Sequence, residues 1–124
     1  MRIDRDGPSS GPVIRGLGVH GYLLETGYHP ALLLTASAAM NWEPPALDAL
    51  DEAALAPILD PAPEFVVIGT GARLRLPPRA LVRALEARNI GVEAMDSRAA
   101  ARAWGVIRGE GRVIAAALYP LDAA

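Results

Sequence analysis

The stretch that decides the fold is PEFVVIGTG, residues 63–71. Its core, residues 65–68, is an unbroken run of β-branched and aromatic side chains, which is typical of a strand covered on both faces. Residues 77–89 then carry apolar side chains at helical spacing, and residues 90–95 form a second strand-like run. Because strand, helix and strand follow one another, we expect two parallel strands joined by a right-handed crossover. The sequence therefore predicts an α/β domain with the strand at 65–68 in its centre.

Further elements lie on both sides of this unit. Residues 98–104 predict a short alanine-rich helix that Gly105 stops, and residues 112–119 predict a last strand. Upstream, residues 47–59 place leucine and isoleucine at helical spacing, with Pro57 near the end of the predicted helix. These elements complete one domain of ordinary size.

The beginning of the chain differs in composition from the rest. Residues 1–12 are rich in glycine, proline, serine and charge, and they predict a flexible N-terminal arm. Residues 13–124 form the single predicted domain, in which 13–35 consists of short apolar pieces separated by glycine and turn residues. Such a pattern favours a hairpin or meander, with a tight turn at Thr26-Gly27.

Composition excludes several kinds of chemistry. The 124 residues include no cysteine, and all 12 basic residues are arginine. Thiolate metal sites, cysteine nucleophiles, Schiff bases and P-loop lysines are therefore excluded. A net charge of −2 argues against nucleic acid as a partner. No apolar run is long enough to span a bilayer and no signal-peptide pattern begins the chain, so we expect a cytoplasmic protein without direct membrane insertion.

Four motifs together point to a known family. They are Gly-Thr-Gly at 69–71, Gly-Val-Glu at 91–93, Asp-Ser-Arg-Ala-Ala at 96–100 and Glu-Gly-Arg at 110–112, followed by an alanine-rich strand. Over roughly residues 13–119 the chain resembles a family of small domains of largely unknown biochemistry. That family includes a mitochondrial assembly factor for respiratory complex I and an adipogenesis-associated vertebrate protein.

The resemblance implies both a fold and a class of function. It implies a three-layer α/β domain with a central mixed sheet whose last strand runs antiparallel. It implies no known enzymatic activity, and it favours a binding or assembly module whose protein partner belongs to a membrane-associated respiratory complex. We expect no cofactor. One departure is the pair Trp104-Gly105, where the family is expected to carry an aromatic residue followed by asparagine.

One edge of the predicted sheet gathers candidate ligand-binding residues. Parallel strands at 65–68 and 90–95 would bring the residues that follow them to the same edge, where α/β sheets bind ligands. Glycine amides and a helix N-terminus favour an anion there. The candidates are Gly69, Thr70, Gly71, Arg73, Asp96, Ser97 and Arg98. The alternative is purely structural: the glycines form a turn, and Asp96 or Ser97 caps the following helix.

Aromatic residues give the other candidate site. Trp42 follows Met40-Asn41 and precedes two prolines, so its loop has no periodicity that would bury it. Met40 and Trp42 are therefore candidate partner-binding residues, while a Trp42 folded onto the core is the alternative. Trp104 lies on the apolar face of its helix and is expected in the core. His20 and His29 lack the spacing of a metal site, and no catalytic set is found.

Two functions stay open at this point. The first is a non-enzymatic binding or assembly module that meets a protein partner near Trp42. The second is a small-molecule or anion-binding protein, or a minor enzyme, that uses the edge around Thr70 and Ser97. We favour a non-enzymatic protein over an enzyme, and the sequence does not indicate the oligomeric state.

Overall fold

A computed structural model describes residues 11–124 of the chain. Residues 11–124 form eight strands and three α-helices, with single turns of 3₁₀-helix at Leu47–Ala49 and Ala56–Ile58 between the fifth and sixth strands. The strands are β1 (Gly16–Gly18), β2 (Gly21–Leu24), β3 (Gly27–His29), β4 (Leu32–Thr35), β5 (Ala39–Asn41), β6 (Phe65–Gly69), β7 (Gly91–Met95) and β8 (Ile114–Leu118). The helices are α1 (Glu52–Leu55), α2 (Arg79–Glu86) and α3 (Ser97–Ile107).

The main sheet has five strands in the order β5-β4-β8-β6-β7. Strand β6 pairs in parallel with β7 and with β8, whereas β4 is antiparallel to β8 and β5. The predicted α/β class and the parallel crossover are confirmed. Two details need correction. The strand at 65–68 was expected in the centre, but the middle strand is β8, and β6 lies next to it. The last strand, β8, is antiparallel to β4 as expected but parallel to β6.

The sheet separates two apolar layers, so the three-layer prediction is confirmed. Helix α2 and the segment around α1 cover one face of the sheet. Helix α3, together with strands β1 to β3, covers the other face. Alternate residues of β6 serve the two layers: Val66 and Ile68 face α2, and Val67 faces α3. All three are at most 1% exposed, as expected for a strand with apolar residues on both faces.

Strands β1, β2 and β3 form a separate antiparallel sheet, which confirms the predicted meander. The tight turn lies one residue earlier than predicted, at Glu25-Thr26, and Gly27 begins β3 with the expected positive φ, +116°. Tyr22 of β2 is completely buried beneath α3. The small sheet therefore belongs to the same layer as α3.

Two helix predictions were wrong. The expected helix at 47–59 is broken, because Leu50 and Asp51 are extended and the Asp51 side chain caps the four-residue α1 by accepting from Ala54 N at 3.0 Å. Its apolar stripe still packs into the core. Helix α3 continues through Gly105 to Ile107. An internal glycine costs only about 1 kcal/mol relative to alanine, and the apolar contact of Ile107 on the core favours the extra turn.

The boundary of the predicted arm also moves. Residues 1–10 lie outside the described part of the chain, but Gly11 and Pro12 are docked on α3. Trp104 Nε1 donates to Pro12 O at 2.8 Å, and Arg108 Nη2 donates to Gly11 O at 2.8 Å. Nothing in the sequence pattern signals these contacts, because they join residues more than ninety positions apart.

Candidate functional site

The predicted edge exists: β6 and β7 are parallel neighbours, and Thr70 and Ser97 follow them at the same end of the sheet. Both residues are buried, at 1% and 0% exposure. Gly69 lies against α3 so closely that a Cβ there would stand 3.0 Å from Ser97 Cα. Residues of the candidate set therefore meet as expected, but inside the protein.

The amides of the Gly-Thr-Gly turn already have acceptors within the chain. Thr70 N donates to Met95 O at 2.8 Å, and Gly71 N donates to Ser97 Oγ at 2.8 Å. Ala72 N donates to Ala123 O at 2.9 Å. An anion-binding nest needs free N–H groups. The geometry therefore fits the structural turn, and the nest interpretation does not apply to these three amides.

The two hydroxyls of this edge also serve the fold. Ser97 Oγ donates to Tyr119 O at 2.9 Å while it accepts from Gly71 N. Thr70 Oγ1 donates to Arg73 O at 2.7 Å and accepts from Arg75 N at 3.0 Å. Ser97 thus joins the turn after β6 to the end of β8. Neither hydroxyl presents a free oxygen to a substrate.

Residues 120–124 cover the edge from outside. A Cβ on Gly71, whose φ is +107°, would stand 2.5 Å from Ala123 O. Arg75 Nη1 donates to Ala124 O at 2.7 Å. The space in which we expected a ligand is therefore filled by the chain itself. Sequence analysis missed Arg75 because an arginine in a loop gives no sign of its acceptor.

The remaining candidates of this set are Asp96, which caps α3, and two exposed arginines, Arg73 and Arg98. Asp96 Oδ1 accepts from Ala99 N at 2.9 Å, so the predicted capping of α3 is confirmed for Asp96. Arg73 and Arg98 are exposed. Arg98 lines a groove of about 620 Å³ together with His20 and Tyr28, and neither Thr70 nor Ser97 lines it. The predicted ligand set is thus not one site.

Trp42 is neither fully exposed nor fully buried. Its indole packs edge-on against the Tyr119 ring, with centroids 5.1 Å apart and planes at 77°. Trp42 and Met40 both rest on the α2 side of the core and keep part of their surface in solvent. The two predicted partner-binding residues therefore lie on the same side of the sheet, and the Trp42 ring packs against Tyr119.

Tyr119 lies beneath Trp42 at 4% exposure. Burial raises the pKa of Tyr119 to about 12, and its hydroxyl has no hydrogen-bond partner among residues 11–124. Tyr22, on the other layer, is buried with a partner: its hydroxyl donates to Tyr119 O at 2.5 Å. Burial likewise raises the pKa of Tyr22 to about 12. A buried polar atom without a partner is uncommon, which singles out Tyr119.

The histidines occupy different surroundings. His29 bonds to Thr26 Oγ1 at 2.8 Å and to Asn41 Oδ1 at 2.5 Å, and so links the small sheet to β5 beside a groove of about 710 Å³. His20 packs against Tyr28. In the described part of the chain, no three His, Cys, Asp or Glu side chains are grouped as a metal site. No helix of residues 11–124 is long and apolar enough to cross a membrane.

Several known proteins are similar to this chain in sequence or in fold. An uncharacterised protein of Rhodobacter capsulatus is 34% identical over 93 residues, which are 75% of this chain and 71% of the relative. The NADH dehydrogenase [ubiquinone] 1 alpha subcomplex assembly factor 3 of Bos taurus is 45% identical over 64 residues, which are 51% of this chain but only 34% of that protein. A crystal structure of a Bordetella parapertussis protein has a TM-score of 0.77 at 29% identity and covers 90% of this chain and 97% of its own.

A family model described as a protein of unknown function, DUF498/DUF598, matches residues 14–119. This range closely matches the one over which the four sequence motifs indicated a resemblance, and the bovine assembly factor is a relative of the expected kind. The chain therefore belongs to the DUF498/DUF598 family.

Proposed function

We propose that this chain is a protein-binding module that assists the assembly of a larger complex. The observation that carries the proposal is the partly exposed Trp42, held edge-on against Tyr119. A tryptophan whose ring is already oriented loses little entropy when a partner covers it, and tryptophan is enriched among residues that dominate binding energy. Met40 adds a flexible apolar side chain on the same side of the sheet.

Tyr119 strengthens this assignment. Its hydroxyl is buried beneath Trp42 without a hydrogen-bond partner among the described residues. An unpaired buried hydroxyl costs about 1–3 kcal/mol. A partner that offers an acceptor to this hydroxyl would remove this cost. The pair thus combines an apolar contact with one polar group still to be satisfied.

The competing small-molecule interpretation requires a large rearrangement. A ligand at Thr70 and Ser97 would have to displace residues 120–124 and break the bonds that hold them. The Trp42 surface needs no such opening. For this reason a binding module fits the geometry better than a ligand site at the strand ends.

The bovine relative suggests the kind of complex. That protein is named as an assembly factor of NADH dehydrogenase, and this chain matches 34% of its length. By analogy we propose that the partner is a subunit of a membrane respiratory complex.

The test is complementation in native cells that lack the gene. We expect the amount of assembled NADH dehydrogenase on native gels to fall, to return with the wild-type chain, and to stay low with Trp42→Ala. Tyr28→Ala is the matched control, because Tyr28 is 48% exposed but lies in the small sheet. The proposal is overturned if deletion leaves assembly unchanged, or if both variants complement equally. Thermal unfolding of purified Trp42→Ala verifies that the fold survives.

A further inference from the structure

One surface segment is unusually basic for this chain. Between Glu64 and Glu86 there are four arginines and no acidic residue, although the whole chain carries a net charge of −2. Arg73, Arg75, Arg79 and Arg83 all fall in the loop before α2 or on α2 itself. This concentration of one sign of charge is local, since acidic residues are in the majority elsewhere.

The same loop exposes two large apolar side chains. Leu76 is 84% exposed and Leu74 is 57% exposed. Arg75 between them is half-buried, and its guanidinium donates to Ala124 O while its amide donates to Thr70 Oγ1. The two leucines thus flank a tethered arginine and keep most of their own surface in solvent. Pro77 and Pro78 then restrict the backbone that presents them.

Helix α2 adds charge next to the leucines. Arg79 and Arg83 are one turn apart and exposed, opposite the buried Leu81 and Leu85. The ion pairs formed within residues 11–124 involve Arg88 and Arg112 rather than these arginines. Arg79 and Arg83 therefore form no ion pair with a carboxylate of the described residues.

We propose that the Arg-Leu loop, residues 73–79 together with Arg83, binds the surface of an anionic lipid bilayer. Leu74 and Leu76 enter the boundary between headgroups and acyl chains, and Arg73, Arg79 and Arg83 contact the anionic headgroups. Apolar insertion combined with basic side chains is what interfacial binding requires. The contact is peripheral, and it goes beyond the proposed assembly function without depending on it.

The shape of the loop favours a bilayer over an acidic protein. Neither leucine lines the groove beside His29 or the groove beside Arg98. Because both side chains stand in solvent outside these grooves, a protein partner would need a pocket shaped for each of them. A fluid bilayer accommodates such side chains without a matching shape.

The test is co-sedimentation of the full chain with lipid vesicles. We expect binding to vesicles of phosphatidylglycerol and phosphatidylcholine at low salt, weaker binding at high salt, and none to phosphatidylcholine alone. Leu76→Ser/Arg79→Gln should lower the partition coefficient by about tenfold.

The matched control is Arg102→Gln/Val106→Ser on α3, which removes one arginine and one apolar side chain, Val106 being 68% exposed, on the opposite layer. This variant should bind as the wild type does. The proposal is overturned if the anionic vesicles do not bind, or if the control falls as far as the loop variant. It is also overturned if the chain binds poly-L-glutamate equally well and Leu76→Ser leaves both affinities unchanged, because the occupant is then an acidic protein. Vesicle binding requires no protein partner, so its failure is separate from failure of the Trp42 surface.

Discussion

Two regions at the same end of the sheet differ in how completely their polar groups are hydrogen-bonded within the chain. At the strand-end edge, Thr70, Gly71 and Ser97 direct their polar atoms to partners within the chain. Around Trp42 the opposite holds: the indole keeps exposed surface, and Tyr119 Oη beneath it lacks a partner among the described residues. The polar groups of the first region are satisfied within the fold. The second region keeps exposed apolar surface and one unpaired hydroxyl.

The difference shows why residue type alone misleads. Glycine, threonine, serine and aspartate at strand ends are the residues from which anion sites are built, and also those that build turns and caps. What distinguishes the two uses is whether their donors remain free. Here residues 120–124 occupy the edge, so its side chains are expected to affect stability more than binding.

The largest expected effect is on Gly71. Gly71→Ala places a Cβ 2.5 Å from Ala123 O at a φ of +107°. Strain and overpacking together should lower the free energy of unfolding by about 4 kcal/mol. Gly27→Ala is the control, because Gly27 has a similar φ of +116° and no heavy atom within 4 Å of its added Cβ. Strain alone should lower the free energy of unfolding of Gly27→Ala by about 2 kcal/mol. Urea denaturation measures both variants. Equal losses would mean that residues 120–124 do not cover the edge.

Ser97 should show the next largest effect. Ser97→Ala leaves Gly71 N without its acceptor and removes a donor to Tyr119 O, both in the interior. We expect a loss of about 2–4 kcal/mol in the free energy of unfolding. Ser37→Ala, at an exposed serine, should change it by less than about 0.5 kcal/mol. A small effect of Ser97→Ala would indicate that its bonds are replaced by water and that the edge is open.

Asp96 tests the cap of α3 by itself. Asp96→Ala removes the acceptor of Ala99 N and should cost about 0.5–2 kcal/mol, whereas Asp96→Asn keeps an acceptor and should cost less. Thermal unfolding of both variants measures this difference. If Asp96→Ala keeps its stability but loses partner recovery, Asp96 belongs to a binding site instead.

The two buried tyrosines compare a paired with an unpaired hydroxyl. Tyr22→Phe removes the bond to Tyr119 O and should lower the free energy of unfolding by about 1 kcal/mol, whereas Tyr119→Phe removes a buried unpaired hydroxyl and should raise it by about 1 kcal/mol. Denaturant titration at neutral pH measures both. A costly Tyr119→Phe would show that its hydroxyl is bonded in solution.

Their ionisation adds a dependence on pH. Burial raises both pKa values from 10.0 to about 12, so the neutral forms favour the folded state. This contribution is fully present below pH 10 and is lost as the pH rises towards 12. The double variant with phenylalanine at both positions should lose stability less steeply over that range. Parallel curves for the wild type and the variant would contradict the assignment of burial as the cause.

Much of the fold follows from local pattern. The apolar run in β6, the spacing in α2 and the short pieces before Thr35 each predicted the correct element, because burial dictates side-chain periodicity. Asn89, at φ +62°, ends the turn that follows α2. The 47–59 region failed for a physical reason: its apolar spacing fits a helix, but Asp51 begins a new helix instead of continuing one.

The candidate site was less predictable, since its geometry depends on distant residues. Ser97 was correctly placed near Thr70, but its bond to Tyr119 O joins residues 22 positions apart. The covering of Gly71 by Ala123 involves a segment with no recognisable motif. Pairing of polar groups across the fold cannot be read from spacing, so the sequence offered both the structural and the functional interpretation.

One measurement compares the two regions directly. The tagged chain is cross-linked in native cells, and the subunits of NADH dehydrogenase that it retains are quantified for Trp42→Ala and Asp96→Ala. The account predicts that Asp96→Ala, although less stable, retains these subunits as the wild type does, while Trp42→Ala is folded and loses them. Loss with Asp96→Ala and retention with Trp42→Ala would contradict it, and would place the binding site at the strand-end edge.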